Sequence, residues 1–167
     1  SNDTVFRATC LQALYKAAPR NNQVQRGLIS NLLNAPSVEI RRASAFGLMA
    51  STSDRTAADA LTNVALNPRN DVRQRIEAIK SLYAKSTDSR LRGNIQAIAE
   101  NGADNLEVRV AAVRFMTTFP QGTRARNVLE RLIELGGNSS VRSMAAQAIR
   151  FNLRENDVRW FHLPVDP

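Results

Sequence analysis

The chain repeats itself at an interval of about 34 residues, and that interval constrains its fold more than any other feature. Four segments, SVEIRRASAFGLMA, DVRQRIEAIKSLYA, LEVRVAAVRFMTTF and SVRSMAAQAIRFNL, align on a cation that follows a β-branched residue. The aligned cations are Arg41, Arg73, Arg109 and Arg142, spaced by 32, 36 and 33 residues, and Arg7 in DTVFRATCLQAL precedes Arg41 by 34. Breaks keep the same period independently of the cations. One set is Pro36, Pro68, Gly102 and Gly136; the other falls at Pro19, Ser53, Thr87 and Gln121. Helices end at such positions, so each unit contains two of them.

Between the breaks, apolar residues recur at helical spacing: Leu28, Leu32 and Leu33, then Leu61, Val64 and Ala65, then Leu91, Ile95 and Ile98, then Val128, Leu129, Leu132 and Ile133. Strand alternation is absent, and only 5% of the residues are aromatic, a poor match to an all-β chain. The pattern predicts a helix over 3–17 and four helix pairs: 22–33 with 38–50, 55–66 with 71–84, 89–100 with 106–118, and 123–135 with 140–153. One such pair cannot bury its apolar faces alone, so neighbours must stack on a shared core, which makes the expected fold an all-α, curved solenoid. Ala43, Ala111, Ala112, Ala145, Ala146 and Ala148 are small enough to let the second helices approach closely. Residues 1–157 are read as the repeat domain and 158–167 as a C-terminal tail, in which Trp160 and Phe161 cover the last pair while Pro164 and Pro167 prevent a long helix.

The repeat resembles the HEAT family of helical hairpins, whose second helix often opens with Val-Arg followed by Ala-Ala and Ala-Leu. Val141-Arg142-Ser143-Met144-Ala145-Ala146-Gln147-Ala148-Ile149 is the best copy. Val108-Arg109-Val110-Ala111-Ala112 and Ile40-Arg41-Arg42-Ala43 follow it closely, while Val72-Arg73-Gln74-Arg75-Ile76 keeps the opening but departs afterwards, which leaves its register open to a shift of two. The resemblance spans almost the whole chain and implies a right-handed α-solenoid of about four HEAT-like pairs plus an N-terminal helix. It also implies that Arg41, Arg73, Arg109 and Arg142 form a structural ladder with acids of neighbouring repeats. Glu39, Asp71 and Glu107 stand two residues before the first three of these cations, and carboxylates sit well at a helix start. Ser140 and Val5 hold that place in the other copies.

Catalytic constellations are missing from the sequence. His162 is the only histidine, which excludes a metal centre built on histidine ligands, such as the di-iron site of a HEAT-like hydroxylase. Trp160, the sole tryptophan, lies beyond the repeats, whereas HEAT-like DNA glycosylases place aromatics beside a carboxylate in their groove; nothing local points to a bilin lyase. Cys10 shares an apolar helical pattern with Ala13, Leu14 and Ala17 and reads as a core residue, not a nucleophile. One cysteine forms no internal disulfide, and no apolar run approaches the roughly 20 residues of a membrane span. The chain starts at Ser1, not Met, so compartment stays open, with cytoplasm as the default and a removed signal or a longer parent chain as alternatives.

The expected function is therefore a non-enzymatic scaffold without cofactor or metal, binding a protein or an acidic, extended partner. The charge is +8, from 20 Arg and 3 Lys against 15 acids. With each aligned Arg as position zero, residues at +1, +5, +8 and +12 face away from the core. These are Arg42, Phe46, Met49 and Ser53; Gln74, Ala78, Ser81 and Lys85; Val110, Arg114, Thr117 and Gln121; Ser143, Gln147, Arg150 and Arg154. None is acidic. Arg42, Arg114, Arg150 and Arg154 are the expected partner contacts on the concave face, with Phe46 and Met49 as an apolar anchor. A nucleic-acid or polyanion-binding module is the alternative, and a helical module of a lipid-transfer protein a lesser one.

Overall fold

The computed structural model describes residues 2–118, 123–135 and 137–152, and every regular element within them is helical. The helices are α1 (Asn2–Ala13), α2 (Asn22–Asn34), α3 (Val38–Gly47), α4 (Arg55–Leu66), α5 (Val72–Ser81), α6 (Ser89–Glu100), α7 (Leu106–Met116), α8 (Thr123–Leu135) and α9 (Ser139–Asn152). The ends expected near 17, 50 and 84 fall short. There α1, α3 and α5 give way to tighter 3-10 turns at Leu14–Lys16, Met49–Ser51 and Tyr83–Lys85.

Short polar side chains start these helices. Asn21, Asp54 and Asp88 accept backbone N–H groups at the starts of α2, α4 and α6, as Ser37, Asp71 and Asn105 do for α3, α5 and α7. Asn138 accepts the N–H of Ser140 at 2.8 Å as α9 opens. Each such cap contributes about 1 kcal/mol by satisfying amides that have no partner within the helix.

The helices contact one another in two series. Within each pair α2 packs on α3, α4 on α5, α6 on α7 and α8 on α9; between pairs, α3, α5, α7 and α9 pack broadly in sequence, while α2, α4, α6 and α8 touch their neighbours more sparingly. The N-terminal helix α1 joins the second-helix series by packing on α3. Gly47 makes this approach possible, because a Cβ there would stand 2.8 Å from the Leu11 carbonyl oxygen and 3.0 Å from a Leu28 methyl. One apolar core runs from Leu28, Leu32 and Leu48 through Leu61, Ile79 and Ile95 to Phe115, Leu129 and Ala148. Each large side chain in it contributes about 1.5–3 kcal/mol by leaving water.

Two expected core residues are outside it. Leu33 is half exposed because Leu32, one residue earlier and wholly buried, takes the inward position on α2. Cys10 is exposed. The half-buried residues Thr4, Ala8 and Leu11 of α1, with Leu14 in the turn after it, form the side turned to α3, and Cys10 lies about 100° around from Leu11. The expected tail cover by Trp160 and Phe161 lies outside the described residues.

Candidate interaction surface

The N-caps of the second helices, Ser37, Asp71, Asn105 and Asn138, are 34, 34 and 33 residues apart. Counting four residues on from each cap reaches Arg41, Arg75, Arg109 and Arg142. The repeating cation of the second copy is thus Arg75, two residues after Arg73.

Arg75 and Arg109 are buried, and each donates Nε–H to a carbonyl ten residues earlier, near the end of the preceding first helix: Ala65 at 2.9 Å and Ala99 at 3.2 Å. Arg41, half-buried, donates Nη1–H to the carbonyls of Ala35 at 2.5 Å and Pro36 at 3.1 Å. A guanidinium in this place satisfies the free carbonyls of a helix end and complements its negative dipole. The same groups tie one pair to the next. Arg41 Nε donates to Gln74 Oε1 at 2.9 Å, and Gln74 Nε2 donates back to the Leu32 carbonyl at 2.9 Å. Arg75 holds Asp104 in a two-pronged ion pair at 2.6 and 2.7 Å, with side-chain exposures of 2% and 7%. These Arg75 hydrogen bonds hold the Asp104 carboxyl below its ordinary pKa, against the opposing effect of burial and with help from the Asn105 N–H.

The acids two residues before the aligned cations do other work. Asp71 caps α5, accepting the backbone amides of Arg73 and Gln74. Arg73 itself is exposed. Glu39, also exposed, accepts the Ser37 hydroxyl at 2.7 Å, and that bond, followed by its own amide, lowers its pKa; the charges of Arg42 and Arg73 add smaller effects. Glu107 is exposed at the start of α7, its amide donated to Asn105, and Arg142 is exposed on α9. Among the described second helices, repeat-to-repeat bonds include Arg41–Gln74 and Arg75–Asp104; the Val-Arg alignment points to Arg73 in the second copy, whereas the cap spacing points to Arg75.

The corrected register also resets the outward stripe. In the second copy Gln74, Ala78 and Ser81 are buried, and their place is taken by Ile76, Lys80 and Tyr83, all half-buried. Arg42, Phe46 and Met49 are half-buried, as are Val110, Arg114 and Thr117; Ser143 and Arg150 are exposed. Arg154 is outside the described residues. These stripe positions still contain no acid, but Glu39 and Glu107, seven residues before Phe46 and Arg114, lie on the same face. Phe46 is not an open anchor, since its ring meets Tyr15 edge to face at 5.9 Å. Tyr15, Met49 and Tyr83 are spaced by 34 and are all half-buried, which makes an apolar line beside the cations.

Ion pairs occur on both helix series, and Arg26 of α2 and Arg90 and Arg92 of α6 are in none among the described residues. The described pairs outside the buried Arg75–Asp104 link are Arg7–Asp3 on α1, Arg55–Asp59 on α4, Arg126–Glu130 on α8 and Arg131–Glu100 between α8 and α6. Among the described residues, Arg42, Lys80, Arg114 and Arg150 are in no ion pair, and Arg42 Nε is a buried donor without an acceptor. No group of three His, Cys, Asp or Glu side chains comes together among the described residues, and none of their helices is long and apolar enough to cross a membrane. No protein-family model matches the chain, and no curated protein matches it in sequence.

Proposed function

We propose that the chain is a non-enzymatic interaction scaffold, a right-handed HEAT-like solenoid that binds an acidic, extended partner across its second helices. The observation that carries this reading is the surplus of cations on the outward stripe of those helices. Arg42, Lys80, Arg114 and Arg150 are in no ion pair among the described residues, and they outnumber the acids on the same face, Glu39 and Glu107. A surface with an excess of one sign attracts a ligand of the opposite sign. The uneven packing of the two series supports a concave stripe, because a stack whose second helices pack closely and whose first helices are spread bends toward the second.

Binding of a fluorescein-labelled polyglutamate peptide, followed by anisotropy, tests this. Arg114→Glu with Arg150→Glu should weaken binding roughly tenfold or more, about 1.4 kcal/mol. Arg26→Glu with Arg90→Glu, which changes the net charge equally on exposed positions of α2 and α6, should weaken it far less. Equal losses in the two folded variants would overturn the assignment to the second helices. The charge of +8 favours nucleic acid as a second reading. Its signature is an affinity for oligonucleotide that exceeds the affinity for polyglutamate and falls steeply with salt.

A further inference from the structure

The spacing of the unpaired cations, rather than their charge alone, specifies the partner. We infer that the surface fits an acidic polyproline II segment with one carboxylate at every third residue. The inference rests on the scaffold reading above and concerns the partner's backbone.

Each second helix contributes one described cation to the stripe: Arg42 five residues after its cap, Lys80 and Arg114 nine after theirs, and Arg150 twelve after its own. Neighbouring helices in packed series lie about 8–10 Å apart, and each residue advances about 1.5 Å along a helix. The cations therefore form a shallow diagonal with steps of about 8–12 Å. An extended β-strand places same-side residues about 6.8 Å apart, too short for one rung per helix. A polyproline II segment rises about 3.1 Å per residue with three residues per turn, so its same-face side chains recur at about 9.3 Å. One carboxylate per turn then meets one cation per helix.

The residues between the cations agree with this occupant. Half-buried Met49 and Tyr83, with Ile76 and Val110 on the stripe, offer a floor for proline rings, which dock on apolar and aromatic surfaces in this conformation. Nucleic acid fits less well, because a strand carries a phosphate about every 3.4 Å of helix axis, against one cation per helix here.

Two labelled peptides of identical composition, length and charge separate spacing from charge. One carries four Glu-Pro-Pro triplets; the other carries the same four glutamates in one block followed by the prolines. The spaced peptide should bind roughly tenfold more tightly, and Lys80→Ala, which removes an inner rung, should lower its affinity several-fold while the helical circular dichroism stays unchanged. Equal affinity for the two peptides, or no effect of Lys80→Ala, would overturn the spacing argument and leave the acidic-partner reading standing. Failure of both peptides and of polyglutamate to bind, with or without binding of oligothymidylate, would overturn both.

Discussion

Arg75 and Arg73 differ by two positions and by nearly everything that gives a cation structural weight. Arg75 is enclosed, bonded to the Ala65 carbonyl and paired through both terminal nitrogens with Asp104, while Arg73 is exposed. Removing one partner of a buried pair strands the other charge, so Asp104→Ala should cost about 3–5 kcal/mol. Arg73→Ala should stay within about 0.5 kcal/mol. Urea unfolding midpoints measure both, and comparable losses would mean that Arg73 carries a link of its own. The pair also sets a pH dependence. Asp104 has a lowered pKa in the folded chain, so its contribution is fully present above the ordinary aspartate value and is lost as the pH falls through the lower folded value. The stability difference between wild type and Asp104→Asn should therefore narrow on acidification below the ordinary carboxylate range; a constant difference would contradict the linkage.

Two glycines within helices show how one substitution takes opposite signs according to what the helix meets. Gly93, inside α6, has nothing within 4 Å of where a Cβ would stand. Alanine there restricts the unfolded chain without a clash, so Gly93→Ala should stabilise by about 0.5–1 kcal/mol. Gly47 ends α3 where α1 crosses it, and its Cβ would press on the Leu11 backbone oxygen at 2.8 Å. Backbone cannot give way as a side-chain tip can, so Gly47→Ala should destabilise by about 1–3 kcal/mol despite the better helix propensity. Thermal or urea unfolding of the two single variants checks the pair, and the same sign in both would refute the account of the α1–α3 contact.

The described helices contact one another mainly as nearest neighbours, and among them α1 packs chiefly on α3. At the α1 end Val5 and Phe6 are 65% and 69% exposed, and Cys10 lies on the same open side. A thiol there should react with a disulfide reagent in the native chain at a rate close to that of the urea-unfolded chain. Strong protection at low protein concentration would show that this end is covered in solution, contrary to the α1 packing seen here. Because α1 packs chiefly on α3, the Gly47→Ala change should also raise exchange of the α1 amides before those of α5 and α7.

Helix content, the pairing of helices and most of the core were legible in the repeat, because apolar spacing and cap residues act within a few residues of one another. Ser37, Asp71 and Asn105 are local signals, and each caps a helix. The links between repeats were not legible from the Val-Arg motif. Whether Arg73 or Arg75 turns inward depends on where α5 meets the end of α4 and the loop holding Asp104, a contact between groups 29 residues apart. Cys10 likewise follows an apolar pattern along its own helix, yet which side of α1 is covered depends on a neighbour, α3, approaching from one direction only. Short-range periodicity specifies which faces of a helix are apolar; the partner that packs against it selects which of those faces is buried, and with it which cations stay at the surface.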